Sequence, residues 1–410
     1  MNGLTAWWHA GDQRAHRALV AASLGWMLDA FDIMLFALLT SSVITALGIT
    51  KAQAGALGSV TLLFAAGGGL LFGALADRYG RTRALMGSVL LYSVFTALCG
   101  FANSFWQLAV ARALLGLGMG GEWASGAALV SETWPAAQRG KALGFVQSSW
   151  AIGYGVAALV TWIVLDQLGL TWRVAFFVGV LPAFLIVWIQ RRVEESPLWL
   201  SHRTTGATGS YADVFRDGRA GVTAAVTLMN AFTLFAWWGM NAWVAARLSL
   251  APKDGGLGMS TGAVAKLVLV NQLGMWLGYV TFGYIADAVG RKRTYIAYLL
   301  IASVLIPVYG FTQAPTPLLV LGPFVMFFGT GYFSGFGALT AELYPTAIRA
   351  RAQGFTYNIG RIASAAAPFI AGTLATSRGF GVAFSVSGAA FLSAAIMWIW
   401  IPETRGRELT

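Results

Sequence analysis

Two different sequence motifs each occur twice in this chain, and both pairs are separated by 210 residues. The first motif, GALADRYGRTR at Gly73–Arg83, returns as GYIADAVGRKR at Gly283–Arg293. In the second pair, five residues recur in order: Glu132, Pro135, Arg139, Gly144 and Phe145 are matched by Glu342, Pro345, Arg349, Gly354 and Phe355. Two unrelated motifs at one offset indicate a duplicated unit. In an apolar chain, such duplication predicts two equivalent halves around a central path.

The composition decides in which solvent this duplicated chain folds. Hydrophobic residues make up 57% of the 410 positions and charged residues only 10%, whereas about 25% of an average soluble domain is charged. An apolar helix of about 20 residues crosses a hydrocarbon core of about 30 Å. Twelve such stretches are predicted, at 18–44, 52–76, 84–104, 105–131, 142–165, 172–191, 220–246, 260–286, 294–313, 316–340, 351–376 and 380–401. The sequence therefore predicts an all-α membrane protein with twelve transmembrane helices in two pseudo-symmetric six-helix bundles.

The distribution of basic residues predicts how the chain is oriented in the membrane. With the N-terminus in the cytoplasm, cytoplasmic tails and loops carry 19 lysine and arginine residues and the opposite side carries five. This bias follows the positive-inside rule and predicts that both termini are cytoplasmic. The net charge of +11 is then a result of topology, and no nucleic-acid partner is expected. We expect a multi-pass protein of a bacterial inner membrane.

One long polar stretch marks the boundary between the predicted halves. It is a cytoplasmic loop at 193–219, which separates an N-terminal six-helix bundle at 1–192 from a C-terminal six-helix bundle at 220–410. The first apolar stretch contains Asp29 and Asp32 and is unlike a cleavable signal peptide. The single cysteine, Cys99, lies in the third predicted helix, and the three histidines lie in predicted tails or loops, so no metal site is expected. No metal and no cofactor is therefore predicted.

The repeated motifs supply candidate gating residues at the cytoplasmic ends of the helices. Gly80 and Gly290 permit tight turns between successive helices. The arginines of the motifs could pair with Glu132 and Glu342 across a helix seam, which would hold the cytoplasmic ends together in one conformation and release them in another. Alternatively, these charges only cap helices and orient the chain. The candidate gating residues are Asp77, Arg78, Arg81, Glu132, Arg139, Asp287, Arg291, Glu342 and Arg349.

These motifs carry a resemblance to a known family. The two copies of the first motif, together with Arg112–Gly118, resemble the major facilitator superfamily over nearly the whole chain. More narrowly, Trp26–Asp32, Gly120–Trp123 and Glu132–Ser148 are similar to the sialate and monocarboxylate proton-symporter branch. The resemblance implies transport of an organic anion together with protons.

Ionisable residues inside predicted spans are candidate sites, because a charge at bilayer depth is costly unless it is paired or hydrated. Asp29 and Asp32 are three residues apart on the first predicted helix and therefore share a face. Arg112, on the fourth predicted helix, lies near the level of Asp32, and we predict an Asp32–Arg112 ion pair. Glu122 could carry a proton or, if neutral, hydrogen-bond to a neighbouring helix. These four residues are the candidates for proton coupling. Alternatively, the Asp32–Arg112 ion pair is permanent and only holds the two helices together.

Arg361 is the main candidate for substrate binding. The predicted spans of the second half contain no aspartate or glutamate, so this guanidinium needs an anion from elsewhere. A substrate carboxylate would supply one with bidentate geometry. Asn358 lies one turn earlier on the same face and could donate to that carboxylate. The alternative is that Arg361 pairs with Asp29 or Asp32.

Further polar and aromatic residues in the predicted spans are weaker candidates for substrate binding. They are Gln147, Tyr154, Asn230, Trp238, Asn241, Asn271, Gln272 and Tyr332. Each could equally satisfy a hydrogen bond between helices. Tyr332 occupies the position of Glu122 after the 210-residue offset. Lys266 is expected near the outer vestibule with a structural role.

The sequence as a whole predicts a proton-coupled symporter that takes up a small organic anion, a monocarboxylate or a sugar acid, by alternating access. A proton-linked exporter and an aromatic-acid transporter of the same fold are the alternatives. A membrane enzyme would need a nucleophile and base pair or metal ligands, which the spans do not offer. A channel would need a continuous polar lining. The expected partners are the organic anion, protons and the lipid bilayer, and a monomer suffices because one chain contains both halves.

Overall fold

The regular structure of this chain is helical. The computed structural model describes residues 6–135, 138–181, 183–196, 200 and 211–405. The first six long helices are α1 (Gln13–Leu47), α2 (Lys51–Tyr79), α3 (Arg81–Cys99), α4 (Phe105–Thr133), α5 (Arg139–Trp162) and α6, formed by Trp172–Val178 and Ala183–Arg192. The next six are α7 (Ala220–Ser249), α8 (Thr261–Val289), α9 (Arg291–Phe311), α10 (Pro315–Thr330 and Phe336–Leu343), α11 (Thr346–Ser364 and Ala367–Ser377) and α12 (Phe380–Met397).

Several shorter helical elements complete this chain order. A short helix at Ala6–His9 precedes α1, and a π-helical turn at Ile163–Gln167 extends α5. Three 3-10 helices lie at Tyr211–Phe215, Pro252–Asp254 and Gly331–Gly335, the last between the two parts of α10. Tyr332 therefore lies where α10 changes its pitch.

The hydropathy of these helices agrees with the predicted membrane spans. Within the described residues, eleven helical segments are long and apolar enough to cross a membrane. They overlap every predicted span except 105–131, and that span also forms a helix of 29 residues, Phe105–Thr133. The prediction of an all-α membrane protein is therefore confirmed.

Contacts divide the chain into two units that do not follow the chain order strictly. Unit 1 contains Met1–Leu38 and Leu63–Ala207, and unit 2 contains Leu39–Leu62 and Thr208–Thr410. The end of α1 and the beginning of α2 thus fold with the second half of the chain. Inside unit 2, Ser249 Oγ donates to Ser41 Oγ at 2.8 Å. The predicted bundle boundaries were placed by chain order, whereas this division follows contacts.

The internal duplication is visible in the local geometry of the two units. The turn before α3 contains Gly80 with φ 112° and ψ 152°, and the turn before α9 contains Gly290 with φ 113° and ψ 147°. Residues with a side chain rarely adopt this φ, so both copies of the motif require glycine there. In unit 1, α3 packs against α4 and both parts of α6; in unit 2, α9 packs against α10 and α12.

Glycine allows α4 to approach α2 closely inside unit 1. A Cβ atom on Gly120 would lie 1.8 Å from the carbonyl oxygen of Ala65, and one on Gly68 would lie 2.0 Å from that of Leu117. A residue with a side chain cannot make such contacts. Glycine is therefore required at both positions, as is common where membrane helices pack closely. This packing fixes the position of Glu122, which lies on α4 two residues after Gly120.

Candidate transport site

The structure buries all four candidate proton-coupling residues inside unit 1. Asp32 has no exposed surface, and Asp29, Arg112 and Glu122 are each 1% exposed. Their positions on α1 and α4 agree with the sequence prediction, because the predicted helices are formed. Burial of ionisable groups at membrane depth favours functional roles over simple helix capping.

Asp32 lies where α1 meets α3 and α6. A Cβ atom on Gly179 would lie 3.0 Å from Asp32 Oδ1 and 2.2 Å from Thr96 Cγ2, which places these two side chains side by side. Neither carboxylate oxygen of Asp32 has a hydrogen-bond partner of suitable geometry in the structure. An ionisable group buried this deeply in a membrane helix is a candidate functional residue.

Arg112 contacts an aromatic ring in place of its predicted partner. Its guanidinium carbon lies 3.9 Å from the centroid of the Phe36 ring, a cation–π contact. Asp32 and Arg112 are both described residues, and the direct ion pair predicted between them is not formed in this structure. Arg112 Nε and Nη1 lack hydrogen-bond partners. The physical reason is that Phe36, one turn after Asp32 on α1, occupies the face that the guanidinium approaches.

Glu122 faces α1 at Gly25. A Cβ atom on Gly25 would lie 2.5 Å from Glu122 Oε1, so the carboxyl group fills the space that glycine leaves open. The neighbouring Trp26 ring lies 4.6 Å from that of Trp123 and 4.8 Å from that of Trp150. Three indoles on α1, α4 and α5 therefore form a cluster, and two of them, Trp26 and Trp123, directly follow Gly25 and Glu122 in the sequence.

In unit 2, Arg361 is buried and has no carboxylate partner among the described residues. It is 3% exposed, and its guanidinium carbon lies 5.2 Å from the centroid of the Tyr357 ring, one turn earlier on α11. The ion pairs of the described arginines in unit 2 involve Arg216, Arg219 and Arg291 and do not include Arg361. Asn358 is half-buried on the same helix.

A row of aromatic rings leads to Arg361. The ring centroid of Phe333 lies 6.2 Å from that of Trp237 and 5.3 Å from that of Phe336. The ring centroid of Phe336 lies 6.4 Å from that of Tyr357, the ring that Arg361 contacts. The sequence analysis did not predict Phe333. The 210-residue offset offered a signal, because it makes Phe333 the equivalent of Trp123. A guanidinium beside aromatic rings can bind the carboxylate of a molecule whose body is apolar or cyclic.

The weaker substrate-binding candidates are all buried, and two of them make hydrogen bonds to backbone oxygens. Buried members are Gln147, Tyr154, Asn230, Trp238, Asn241, Asn271, Gln272 and Tyr332. Tyr332 Oη donates to Thr233 O at 3.4 Å, and Gln272 Nε2 donates to Val268 O at 3.2 Å within α8. The Tyr332 hydrogen bond therefore joins the 3-10 turn of α10 to α7, whereas the Gln272 hydrogen bond lies within α8. Lys266 is exposed, and its expected place near the outer vestibule stays a prediction.

The two motif copies form matching ion pairs, one in each unit. Arg81 Nη2 lies 2.9 Å from Glu132 Oε1, and Arg291 Nη2 lies 3.1 Å from Glu342 Oε1. Arg291 also pairs with Asp287 at 2.5 Å. The predicted pairing across helix seams is thus present in both units, whereas its role in gating stays a prediction.

Not every candidate gating side chain can be described. The side chains of Asp77, Arg139 and Arg349 lie outside the described part of the structure. Arg78 is exposed, and its guanidinium carbon lies 5.2 Å from the centroid of the Tyr79 ring.

Sequence reasoning missed a second matching pair of acidic residues. Glu195 accepts from the backbone N–H of Arg81 at 2.9 Å, and Glu403 accepts from that of Arg291 at 2.9 Å. Each carboxylate therefore caps the first turn of a motif helix. Although desolvation opposes it, the backbone N–H donors in its own turn and at the start of α9 hold the pKa of Glu403 below its ordinary value.

Comparison with known proteins agrees with this architecture. The family model described as Major Facilitator Superfamily matches residues 22–250 and 248–410. The chain belongs to the major facilitator superfamily. It is therefore a multi-pass membrane transporter and not an enzyme, which confirms the resemblance seen in the motifs.

Individual superfamily members are similar over nearly their full length. A protein of Cupriavidus pinatubonensis named "Probable 4-methylmuconolactone transporter" is 34% identical over 98% of this chain and 94% of its own. The sialic acid transporter NanX of Escherichia coli is 31% identical over 96% of each chain. A crystal structure of a D-xylose-proton symporter has a TM-score of 0.77 at 21% identity, covering 97% of this chain and 100% of its own, and shows the shared fold.

Proposed function

We propose that this transporter takes up a small organic anion together with protons by alternating access. The observation that carries the proposal is the distribution of buried charge. Among the described residues, the buried carboxylates are Asp29, Asp32 and Glu122, all in unit 1. Unit 2 buries Arg247, which donates to the carbonyl oxygen of Thr312, and Arg361, and neither has an acidic partner among the described residues. Groups that can bind protons and a group that needs an anion are thus present in one chain.

The substrate that suits Arg361 is a monocarboxylate whose body is cyclic. The planar guanidinium binds a carboxylate with two parallel hydrogen bonds. The aromatic row from Trp237 to Tyr357 offers ring faces to the remainder of the molecule. The similar proteins named for sialic acid and 4-methylmuconolactone support this class, because both compounds combine a ring with a carboxylate.

Proton coupling suits this cargo energetically. A monocarboxylate that moves with one proton transfers no net charge, so a pH gradient drives its uptake by about 1.4 kcal/mol per unit. Asp29, Asp32 and Glu122 are the groups that would bind the proton, since they are the buried carboxyls of the described residues. The ion pairs of the two motifs would close and open the cytoplasmic ends.

The test is uptake into proteoliposomes with an imposed pH gradient. Sugar acids, aromatic acids and short aliphatic acids are compared with their neutral amides at equal concentration. We expect at least one ring-bearing carboxylate to accumulate only when the outside is more acidic, and its amide to stay at equilibrium. Equal accumulation of acid and amide would contradict the proposal, and net movement of the acid against the inward proton flow would assign export.

A further inference from the structure

We propose that the hydroxyl group of Tyr92 relays protons between the carboxyl groups of α1 and Glu122 of α4. This inference rests on the proposed proton-coupled uptake and assigns a route inside unit 1 to it. Tyr92 lies on α3, has no exposed surface and was not singled out by its sequence context. A tyrosine hydroxyl can pass protons because its oxygen both accepts and donates.

The hydroxyl of Tyr92 and the carboxyl group of Glu122 meet at one residue of α1. Tyr92 Oη donates to the carbonyl oxygen of Gly25 at 3.5 Å. Glu122 Oε1 occupies the space where a Cβ atom of Gly25 would lie, 2.5 Å away. Both polar groups therefore approach the same point of α1 from two different helices.

Asp32 of α1 also lies near the part of α3 that carries Tyr92. A Cβ atom on Gly179 would lie 3.0 Å from Asp32 Oδ1 and 2.2 Å from Cγ2 of Thr96, one turn after Tyr92 on α3. Asp29 lies one turn and Asp32 two turns beyond Gly25, about 6 and 10 Å along α1. Tyr92 is therefore on the helix that contacts both the acidic part of α1 and, at Gly118, the helix that carries Glu122.

Helix packing holds the tyrosine in this place. Ser88 Oγ, one turn earlier on α3, donates to the carbonyl oxygen of Gly118 on α4 at 2.7 Å. A Cβ atom on Gly118 would lie 2.7 Å from the backbone nitrogen of Tyr92, so α3 and α4 are in close contact there. The backbone is fixed, whereas the 3.5 Å hydrogen bond at the hydroxyl is long enough to let that group turn.

Further hydroxyl groups extend this polar seam through unit 1. Ser93 and Thr96 on α3 and Ser125 on α4 have no exposed surface. The hydroxyls of Ser93 and Ser125 have no hydrogen-bond partner among the described residues. The seam therefore carries further hydroxyl groups, which can both donate and accept, on the two helices beside Tyr92.

The other ionisable groups near this route lie at its Asp32 end. Arg112 stacks on the ring of Phe36, one turn after Asp32 on α1. Cys99 is buried on α3, one turn after Thr96. Glu122 stands at the other end beside Gly25.

The relay step conserves charge on the tyrosine. A protonated carboxyl on one helix gives its proton to a lone pair of Tyr92 Oη while the original hydroxyl proton passes to the carboxylate on the other side. One O–H bond forms on the tyrosine as the other breaks, so the phenol is neutral before and after. Rotation of the hydroxyl then restores the starting geometry. Side chains and short water chains of this kind are established proton carriers.

The decisive variant is Tyr92→Phe, which removes only the hydroxyl. We expect its initial rate of gradient-driven uptake to fall by about 100-fold, the lower end of what a lost proton-transfer group produces. Substrate exchange at equal pH on both sides, which needs no net proton movement, should stay within about twofold of the wild type. The matched control is Tyr298→Phe, a tyrosine on α9 that is 3% exposed. It should leave both activities unchanged.

A second variant keeps the test valid if Tyr92→Phe unfolds. Replacement of Tyr92 by 3-fluorotyrosine retains the ring and the hydroxyl but changes the acidity, and should alter gradient-driven uptake more than exchange. If both variants accumulate substrate like the wild type, the relay is excluded. A wild type whose uptake ignores the pH gradient would instead overturn the proposed function, so the two failures are distinguishable.

Discussion

At Arg361, the chemistry of a single side chain suits the proposed binding of a carboxylate. The guanidinium is 3% exposed and lies beside the Tyr357 ring rather than an acidic residue. Its planar fork can hold both oxygens of a carboxylate, whereas a lysine ammonium offers one point charge. The residue therefore suits recognition of a planar anion more than general attraction of negative charge.

The first prediction follows from this geometry. Arg361→Lys should raise the apparent KM for the transported acid by about tenfold, because the bidentate hydrogen bonds are lost while the charge is kept. Initial uptake rates over a range of substrate concentrations measure this change. The control is Arg378→Lys at an exposed arginine, which should leave the KM unchanged. An unchanged KM in Arg361→Lys would exclude direct bidentate binding.

The aspartates of α1 provide a second prediction at the residue scale. Asp29→Asn and Asp32→Asn keep the shape of each side chain but remove its ability to exchange a proton. We expect at least one variant to lose accumulation driven by a pH gradient and to retain counterflow, in which no net proton moves. Asp166→Asn, at an exposed position, serves as the control. Full proton-driven accumulation in both variants would remove the aspartates from the coupling mechanism.

At the scale of helices, two equivalent clusters hold the first turns of α3 and α9. Each combines an arginine–glutamate ion pair with a carboxylate that accepts backbone N–H groups. The positive end of a helix dipole favours such carboxylates. Because the clusters join helix ends that lie far apart in the sequence, they are suited to bind or release those ends as units.

The ion pairs lead to a prediction about gating. Glu132→Gln and Glu342→Gln should each slow transport severalfold without reducing the amount of folded protein, if opening and closing use these pairs. Uptake rate per molecule, with expression measured by quantitative blotting, gives the result. Kinetics equal to the wild type in both variants would leave the pairs with a capping role only.

The cap at α9 leads to a prediction about pH. Since the pKa of Glu403 is lowered in the folded protein, its carboxylate stabilises the fold above the unfolded pKa, and this contribution is lost as the pH falls through the folded pKa. Glu403→Gln should therefore reduce stability near pH 7, by up to about 1 kcal/mol for an exposed cap, and less in strong acid. Thermal unfolding in detergent from pH 7 to pH 3 measures this, with Asp254→Asn as an exposed control.

For the whole molecule, the basic residues predict one orientation in the membrane. In a Cys99→Ala background, Ala212→Cys lies in the predicted cytoplasmic loop and Lys253→Cys lies on the predicted outer side, and both positions are exposed. In intact cells, a membrane-impermeant maleimide should label Lys253→Cys and not Ala212→Cys. Inverted vesicles should show the opposite result. Labelling of Ala212→Cys in intact cells would reverse the assigned topology.

The two contact units differ from a division of the chain by sequence order. Residues 39–62 precede much of unit 1 in sequence, yet they fold with unit 2. Within unit 2, a Cβ atom on Gly55 would lie 2.4 Å from the carbonyl oxygen of Pro368, so α2 and α11 approach closely. Hydropathy marks where a span begins and ends but carries no information about which neighbour it contacts. The sequence therefore predicted the spans and could not predict this division.

The sequence by itself determined the membrane solvent, the helical spans, the duplication and the burial of Asp29, Asp32, Arg112, Glu122 and Arg361, because these follow from apolar length, repeat spacing and the cost of charge in hydrocarbon. Only the tertiary structure decided that Arg112 contacts Phe36, that Tyr92 meets Glu122 at Gly25, and that Glu195 and Glu403 cap distant helices. Those contacts depend on the rotation of each helix about its axis and on close packing between helices. Neither quantity is encoded in the local pattern of residues.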